Sequence, residues 1–371
     1  MNGIDSIVFL VFLVSVTFRF LLLVPKYIAF FYISAKTSVP IAQPPISILI
    51  SARNEAKYLE VLVHTLMKQN YPCFEVIIAL DRCTDDSMAK ARALKKAYPH
   101  VHFIDIEQVP SSIHPKKYAL TQAVHLAQYE WLVLTDADCL PLSDQWLQYL
   151  SRSMKPDKEI IVGYSPYHRR PGLLNAYIRF ETFLTGINYL TAAHWGFPYM
   201  GVGRNLAYRK SLFIRAGGFY PFKSVQGGDD DLFIQYHATP QNTAVVVGRE
   251  SLTYSHPEQN IRDYHRQKKR HYGVGKYYKR SVKTFHTASM ATLALLWSSL
   301  LILALLNHQT EVAIVLVFIY WTTKILVFRK ASRQMGEGYP LLLTPFLELL
   351  YVVYVPVEVM MSIVSTKVKW K

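Results

Sequence analysis

Two aspartates, Asp136 and Asp138, stand one residue apart directly after a short apolar run at residues 131–134. This run is rich in β-formers and apolar on both faces, which is typical of a buried strand. Carboxylates at the end of such a strand form a hard anionic oxygen site suited to Mg²⁺ or Mn²⁺, and the ion can in turn hold a diphosphate. An Asp-x-Asp pair alone is also common in solvated turns, so the surrounding chain has to decide between the two interpretations.

Strands and helices alternate along the chain before these aspartates. The pattern predicts strands at 46–50, 75–80, 101–106 and 131–134, and helices at 60–68, 87–98 and 117–128. Strands separated by single helices indicate βαβ units, and therefore an α/β fold with a mostly parallel sheet. Polar residues follow the first two strands as well: Arg53 and Glu55, then Asp81. Because open α/β sheets bind ligands at the carboxyl ends of their strands, we expect one site on this rim.

Two common classes of nucleotide-binding enzyme lose support because the glycine-rich loops that they require are absent from the sequence. No Gly-x-Gly-x-x-Gly follows the first strand, and there is no Gly-Lys-Ser/Thr loop, which argues against dinucleotide redox chemistry and P-loop phosphoryl transfer. The three cysteines, at positions 73, 83 and 139, form no Cys-x-x-Cys pair. We expect each to pack in a reducing, cytoplasmic setting without a disulfide framework.

The amino-terminal part of the chain is predicted to cross a membrane. The protein has 371 residues, of which 51% are hydrophobic, and a formal net charge of +15, which favours a catalytic domain combined with membrane helices. Residues 4–24 are apolar over the length that a bilayer core requires, and Arg19 is expected to extend to the interface. A signal peptide would need a positive start and a small-residue cleavage site, and neither is present. Lys26 and Lys36 follow the run, so the positive-inside rule places the next domain in the cytoplasm.

The carboxy-terminal part is predicted to contribute two to three further membrane helices. Residues 285–306 and 312–328 are each long enough to span and are joined by a short polar turn, so we expect a hairpin. The stretch 341–364 contains two glutamates and precedes a basic terminus. Its length favours a third span, whereas an interfacial helix would keep the basic terminus inside. The expected location is the cell (inner) membrane, with several spans and a cytoplasmic catalytic domain.

Several motifs together resemble those of the family 2 glycosyltransferases, inverting enzymes of the GT-A fold that use nucleotide-diphosphate sugars. The similarity covers residues 46–272. It rests on Ser51-Ala-Arg-Asn-Glu55, Asp81-Arg-Cys-Thr-Asp, Pro115-Lys-Lys-Tyr-Ala-Leu120, Asp136-Ala-Asp138, Gly201-Val-Gly-Arg-Asn205, Gly227-Gly-Asp-Asp-Asp231-Leu and Gln267-Lys-Lys-Arg270-His271. Each motif alone is weak, and their order along the chain makes the resemblance specific. The sequence departs from the family pattern at Pro115, which replaces Gly, and at His271, which replaces Trp.

The resemblance implies a Rossmann-like GT-A domain that binds a nucleotide-diphosphate sugar, with a UDP-sugar favoured. The implied donor-binding residues are Ala52, Arg53, Glu55, Asp81, Lys116 and Asp136. Asp136 and Asp138 would hold Mg²⁺ or Mn²⁺, and His256 is a candidate third ligand, although a lone histidine is more often structural. Gln267 and Arg270 would face the diphosphate.

The resemblance also implies an inverting transfer, in which one carboxylate removes the proton of the attacking acceptor hydroxyl. Asp229 is the predicted base and Asp230 the alternative, because three adjacent acids leave the register open. Acids at the start of a helix are also favoured by the helix dipole without any catalytic role. Trp195 and Asn205 are predicted to contact the acceptor, a lipid or a membrane-proximal glycan. For Trp195, packing against the membrane-proximal surface is the alternative.

The predicted organisation is an anchor at 1–25, a GT-A domain at 40–284 and a membrane region at 285–371. Within it, residues 262–283 are densely basic. Beside a membrane we interpret them as an interfacial helix on anionic headgroups, so no nucleic-acid partner is expected. The predicted function is membrane-bound glycosyl transfer. A processive polysaccharide synthase is the enzyme alternative, and a scaffold built on a decayed transferase domain is the alternative without activity.

Overall fold

The computed structural model describes residues 3–33, 43–338 and 340–364 of the chain. The strands are β1 (Ile46–Ala52), β2 (Phe74–Asp81), β3 (Val101–Ile106), β4 (Trp131–Asp136), β5 (Cys139–Pro141), β6 (Ile160–Val162), β7 (Leu206–Arg209), β8 (Thr243–Val245) and β9 (Thr253–Ser255). The helices are α1 (Gly3–Tyr32), α2 (Ala56–Leu66), α3 (Ser87–Ala97), α4 (Pro115–Leu126), α5 (Trp146–Ser151), α6 (Leu173–His194), α7 (Lys210–Arg215), α8 (Asp231–His237), α9 (Ile261–Val274), α10 (Arg280–Leu306), α11 (Thr310–Met335) and α12 (Thr344–Val364). Lys36 and the basic carboxy terminus, on which the sequence-based topology partly depends, lie outside the described residues.

The central sheet has the strand order β3-β2-β1-β4-β7-β6-β8. The strands β3, β2, β1 and β4 are parallel, whereas β7 is antiparallel to both β4 and β6. A second sheet pairs β5 with β9. Ser51 lies opposite Asp136 in the register of β1 and β4, and Ala52 lies opposite Leu80 of β2. The prediction of a mostly parallel α/β fold is therefore confirmed, and the polar ends of β1, β2 and β4 share one rim.

The parallel strands are apolar on both faces because helices cover both faces. Leu49 and Leu132 pack into a core with α4 and α6, and their neighbours Ile48 and Val133 pack into a second core with α2, α3 and α5. Successive side chains of a strand point to opposite faces, which explains the continuous apolar runs of the sequence. The helix expected from residue 117 begins at Pro115 instead. Proline is favourable at the first position of a helix, because the backbone N–H that it lacks would have no partner within the helix there.

The sequence-based interpretation contained no helix at the position of α6. This 22-residue helix is buried along most of its length, and its buried residues include Asn175, Arg179 and Glu181. Because it is buried nearly all round, it lacks the alternation of apolar and polar faces by which a surface helix is recognised. It packs against β8, α1 and α12, so it joins the sheet to the long apolar helices.

Four helical segments are long and apolar enough to cross a bilayer: Gly3–Tyr32, Arg280–Leu306, Thr310–Met335 and Leu341–Ser362. The first of these, α1, packs against both α10 and α11. Arg19 is buried, and its guanidinium donates to the carbonyl and the hydroxyl oxygen of Ser289 in α10, each at 3.1 Å. The expectation that Arg19 extends to the interface is wrong, because its charge is directed into the bundle. The helix also continues past residue 25 to Tyr32 with Pro25 inside it.

The expected hairpin of two apolar helices is formed by α10 and α11. Asn307 and Gln309 in the turn between them adopt left-handed φ angles of 49° and 50°. At the other end of α11, Gly336 has a φ of 72°, and a Cβ atom there would lie 2.5 Å from the Cα of Arg249. Only glycine allows this close approach of the hairpin to the sheet domain. Glu337 follows and is bonded to the Tyr164 hydroxyl at 2.5 Å, which fixes the junction.

Helix α12 packs mainly on α9 and α6. The Tyr354 ring stacks on Tyr264 of α9 at 6.0 Å, and Glu358 lies 2.5 Å from a ring nitrogen of His265. The second half of α12 therefore lies along the sheet domain. The basic segment 262–283 is not one helix, because α9 ends at Val274 and a short turn separates it from α10.

Candidate active site

The Asp-x-Asp pair forms the centre of the rim. Ligand atoms of Asp136, Asp138 and Cys139 all lie within 4.8 Å of one another. Burial, followed by the charges of Asp138 and Asp136, raises the pKa of the Cys139 thiol well above its usual value, so this thiol stays protonated. The two carboxylates are the hard oxygen donors that Mg²⁺ and Mn²⁺ prefer, and a protonated thiol is not. The donor set therefore fits a hard divalent ion held by Asp136 and Asp138, with water or substrate oxygens as further ligands.

Lys116, in the first turn of α4, connects this pair to the acidic turn before α8. Its ammonium lies 3.0 Å from an oxygen of Asp136 and 3.0 Å from an oxygen of Asp229. Burial lowers the pKa of Lys116, but the carboxylates of Asp136, Asp229 and Asp230 raise it by more, so the net shift is upward. Lys116 is therefore a permanent cation held between a carboxylate that is predicted to bind the metal and the predicted base.

The neighbouring Lys117 points in another direction and supports the same turn from behind. It is fully buried, and its ammonium donates to the carbonyl oxygens of Phe222, Val225 and Gly227 at 3.0, 2.6 and 2.5 Å. Burial lowers its pKa to about 8. Gly227 and Gly228 follow with φ angles of 80° and 77°, a conformation that favours glycine. The lysine and the two glycines together shape the turn that presents the three acids.

The three consecutive acids have three different partners. Asp229 faces Lys116, and although burial raises its pKa, Lys116 lowers it by more. Asp230 accepts from the backbone N–H groups of Gly203 and Asp231, and burial together with Asp229 raises its pKa. Asp231 accepts from the Tyr278 hydroxyl, and burial followed by Asp230 raises its pKa to about 7. Among the three, Asp229 is the acid whose side chain meets the same lysine as Asp136.

The loops after β1 and β2 are tied to each other on the donor side of the rim. The Asn54 side chain accepts from the Thr84 N–H at 2.7 Å, and the Ala56 N–H donates to Asp85 at 3.0 Å. Asp81 is buried, and Arg82 donates to it at 2.7 Å, with a guanidinium nitrogen of Arg53 3.8 Å away. The predicted donor residues Ala52, Arg53, Glu55 and Asp81 are therefore brought together with Lys116 and Asp136 on one rim.

His256 lies beside the Asp-x-Asp pair because β9 runs next to β5. The preceding residue, Ser255, donates to Asp138 at 3.1 Å. The imidazole stacks on Tyr58 at 4.9 Å and lies 5.0 Å from His168, and its buried Nδ1 atom has no hydrogen-bond partner. Burial lowers the pKa of His256 although Asp138 opposes the shift, so the ring is neutral and keeps a lone pair next to the pair of carboxylates.

Helix α9 brings the predicted diphosphate residues to the same region. Gln267 donates to the Tyr167 hydroxyl at 3.5 Å and to Glu258 at 3.4 Å. The charge of Arg270 contributes to the lowered pKa of His114, after burial and Lys117, which puts Arg270 near the start of α4. His271, at the position where the resembling family has Trp, follows Arg270 in the same helix and has an exposed side chain.

The two residues predicted to contact the acceptor have other partners in the structure. Asn205 is fully buried, and its side chain accepts from the Trp146 indole and donates to the carbonyl oxygens of Tyr164 and Ser251. Both amide hydrogens are used and the side chain has no exposed surface, so these contacts support a structural role. The Trp195 indole donates to the Pro25 carbonyl of α1 at 3.0 Å. The alternative for Trp195, packing next to the membrane helices, is the one that the contacts support.

Comparison with known proteins identifies the family. A family model described as glycosyl transferase family 21 matches residues 7–371. The chain belongs to glycosyl transferase family 21. It is therefore a glycosyltransferase, as the motifs predicted, and the similarity to family 2 remains a resemblance. A search of curated protein sequences found no significant match.

Solved structures support the GT-A fold of this family 21 protein. The mannosyltransferase PcManGT from Pyrobaculum calidifontis, in complex with GDP-Man and Mn²⁺, is 17% identical, with a TM-score of 0.61 over 89% of this chain and 98% of that chain. TarS 1-349 from S. aureus is 14% identical, with a TM-score of 0.42 over 86% of this chain and 88% of that one. Glucosyl-3-phosphoglycerate synthase from Mycobacterium tuberculosis, in complex with Mn²⁺ and UDP, is 16% identical, with a TM-score of 0.40 over 60% of this chain and 75% of that one. The similarity in fold rests on the mannosyltransferase PcManGT.

Arg204 is a candidate site residue of the family 21 chain that is not among the residues predicted from the motifs. Its guanidinium lies 4.4 Å from the centre of the Tyr167 ring, and its buried Nη1 atom has no hydrogen-bond partner. Burial lowers the pKa of Arg204, but the nearby Tyr167, Cys139, Asp136 and Asp138 raise it by more. The cation is therefore near enough to the Asp-x-Asp pair for their charges to interact. The sequence contains a signal for it, since Arg204 stands in the same motif as Asn205, directly before it.

Proposed function

We propose that this protein is a membrane-bound, metal-dependent, inverting glycosyltransferase that moves a sugar from a nucleotide-diphosphate sugar to a lipid or membrane-proximal glycan. The observation that carries the proposal is the convergence of acids from distant segments around one cation. Asp136 and Asp229 both lie 3.0 Å from the Lys116 ammonium, with Asp138 beside Asp136. A binding scaffold without activity would not need a buried acid, Asp229, close to a pair of carboxylates that fit a divalent metal ion.

The donor is proposed to lie across the rim formed by β1, β2 and β4. The tied loops at Arg53, Glu55 and Asp81 would hold the base and ribose. Arg204, Gln267 and Arg270 supply cations and donors for the diphosphate. The GDP-Man and Mn²⁺ bound by the structurally similar mannosyltransferase support a nucleotide-sugar donor and a divalent ion, and the resemblance to family 2 favours a UDP-sugar.

Transfer with inversion requires one carboxylate on the acceptor side. Asp229 would remove the proton of the acceptor hydroxyl as its oxygen forms the new bond to the anomeric carbon. The bond between the anomeric carbon and the diphosphate oxygen breaks at the same time, and the nucleoside diphosphate leaves with the electron pair. Mg²⁺ or Mn²⁺ held by Asp136 and Asp138 would neutralise charge on the leaving group. Arg204 and Arg270 stabilise the same developing charge from the protein side.

The membrane helices support an amphiphilic acceptor and a cytoplasmic catalytic domain. The end of α11 that meets the catalytic domain is rich in Arg and Lys, as the positive-inside rule expects of a cytoplasmic side. The second half of α12 packs along α9 and α6. This packing favours a position at the membrane interface for that half, and it disfavours a helix that spans the whole bilayer. An acceptor anchored in the bilayer would then reach the rim without leaving the membrane surface.

A donor screen with membranes containing the full-length protein tests the proposal. Release of nucleoside diphosphate from UDP- and GDP-sugars is measured with Mn²⁺ or Mg²⁺ and repeated for Asp138→Ala and Asp229→Asn. We expect both variants to lose transfer by about a hundredfold or more. Asp229→Asn should keep Mn²⁺-dependent donor binding, whereas Asp138→Ala should lose it. The exposed Asp157, paired with Lys158, provides Asp157→Asn as the matched control.

Two outcomes would replace the proposal. Normal transfer by Asp229→Asn would show that another group is the base. Failure of the native protein to consume any nucleotide-sugar in the panel would favour the scaffold alternative. The length of the product separates single transfer from processive synthesis, because a ladder of long polymer is expected only from a polysaccharide synthase.

A further inference from the structure

A groove of about 890 Å³ lies between the second halves of α1 and α11. Its walls include Phe20, Leu23 and Val24 on α1 and Leu326 on α11, so the part of the groove toward the middle of the helices is apolar. This volume is within the range of pockets that hold small amphiphilic ligands. The groove is thus a concave feature on a surface that otherwise faces lipid.

Three cations line the end of the groove that lies toward the catalytic domain. Arg329 and Arg333 are exposed. The Lys330 ammonium lies 5.0 Å from the centre of the Tyr27 ring and 4.2 Å from that of Phe31. Among the described residues, none of the three cations pairs with a carboxylate. Lys330 is held in place by the two rings, and the charge of all three cations is left uncompensated.

The level of these cations along the bundle follows from the end of α11. Met335 and Gly336 close the helix, and Glu337 is already bonded to Tyr164 and Arg179 of the catalytic domain. The cations therefore lie within the last two turns before that domain, at the height of the adjoining headgroups. A ligand in the groove has its anionic end toward the catalytic domain and its apolar end toward the bilayer centre.

We propose that this groove is a binding site for one anionic glycerophospholipid of the leaflet that adjoins the catalytic domain. The phosphodiester would lie among Arg329, Lys330 and Arg333, and an acyl chain would lie along Phe20, Leu23 and Val24. A zwitterionic lipid carries its own cation on the headgroup, which the three basic residues repel, so the site discriminates by charge. The site is independent of the transfer reaction and of the identity of the acceptor.

Native mass spectrometry of the detergent-purified full-length chain tests the proposal. Phosphatidylglycerol and phosphatidylcholine with identical chains are titrated separately. We expect one phosphatidylglycerol per chain, bound about tenfold or more tightly than phosphatidylcholine. Arg329→Gln combined with Arg333→Gln should reduce this preference to near one. Val24→Trp, which fills the apolar part and keeps the cations, should reduce the binding of phosphatidylglycerol.

The matched control uses two exposed cations of α3, Arg92 and Lys96, which lie outside the four helices that could cross a bilayer. Arg92→Gln combined with Lys96→Gln should leave the lipid preference unchanged. Equal retention of both lipids by the native chain, or an unchanged preference in the Arg329→Gln, Arg333→Gln variant, would overturn the proposal. Displacement of the lipid by inorganic phosphate would reassign the cations to a phosphate site. A dimer without bound lipid would assign the groove to a second copy of the chain. A monomer that binds no lipid would assign it to another segment of the same chain.

Discussion

Asp136 and Asp229 share one cation, since the Lys116 ammonium lies 3.0 Å from an oxygen of each. One of these acids ends a central strand, and the other follows a glycine turn far along the chain. The lysine holds the Asp-x-Asp pair and the acidic turn at a fixed separation. It also sets the acidity of Asp229, because its charge is the main influence that lowers the pKa of that acid against the effect of burial.

Lys116→Met should therefore shift the pH dependence of transfer as well as its rate. Without the ammonium, the pKa of Asp229 rises, so the acidic limb of kcat/KM should move to higher pH. The rate at pH 7 should fall by about tenfold or more, as for loss of a correctly ionised base. A pH–rate profile of both proteins measures the shift. Lys90→Met, which removes a partly exposed lysine paired with Glu60 at 3.0 Å, is the control. An unmoved acidic limb in Lys116→Met would contradict Asp229 as the base.

The strands and the Asp-x-Asp pair could be predicted from sequence because their signals are local. A continuous apolar run followed by acids identifies β4, and the repetition of strand and helix identifies the parallel sheet. The direction in which each side chain of a motif points cannot be predicted from neighbouring residues, because it depends on contacts with distant parts of the chain. Lys116 and Lys117 are adjacent and chemically equal, yet one faces two carboxylates and the other donates to three buried carbonyl oxygens.

The wrong and missing assignments have the same cause. The motif predicts an acceptor contact for Asn205, although this residue is buried and bonded to Trp146, Tyr164 and Ser251. Its neighbour Arg204 is near enough to the carboxylates for their charges to interact. These directions depend on α5, on the segment after β6 that carries Tyr164 and on the turn before β9, which come from separate parts of the chain. Helix α6 was missed because burial on most sides removes its amphipathic pattern.

Arg204→Gln should weaken binding of the donor and of the nucleoside diphosphate product. The variant removes a cation that interacts with the charges of Asp136 and Asp138 and has an unpaired buried nitrogen. Hydrogen bonds from charged groups contribute about 1.5–3 kcal/mol, so product inhibition should weaken by roughly tenfold to a hundredfold, with Arg204→Lys in between. Arg152, which lies 3.8 Å from the Tyr149 ring, provides the matched control Arg152→Gln. Unchanged product inhibition in Arg204→Gln would exclude a diphosphate contact.

Asp231→Asn should stabilise the protein at neutral and alkaline pH. The folded-state pKa of Asp231 is raised to about 7, above the value of about 3.9 for an unfolded chain. The folded state therefore binds more protons between these values, and the free energy of unfolding decreases as the pH rises through that window. The Asn side chain can still accept from the Tyr278 hydroxyl and carries no charge to bury. Thermal unfolding in detergent should show that Asp231→Asn is more stable than the native protein above pH 7, and that this difference vanishes toward pH 4. A constant gain at every pH would contradict the titration, and Asp157→Asn should show none.

Lys324 in α11 and Glu348 in α12 form an ion pair inside the helix bundle, and both side chains are almost fully buried. Tyr320 also donates to Glu348 at 3.3 Å. Removing one charge from such a pair leaves the other without compensation in a low-dielectric interior, so Lys324→Met should cost about 3–5 kcal/mol. The double variant Lys324→Met, Glu348→Leu removes both charges and should recover most of this loss, because apolar groups of similar volume replace a buried pair at little cost. Thermal unfolding of the native protein, both single variants and the double variant gives the coupling energy. Equal instability of the double and single variants would mean that the packing of these side chains, and not their charge, holds α12 against α11.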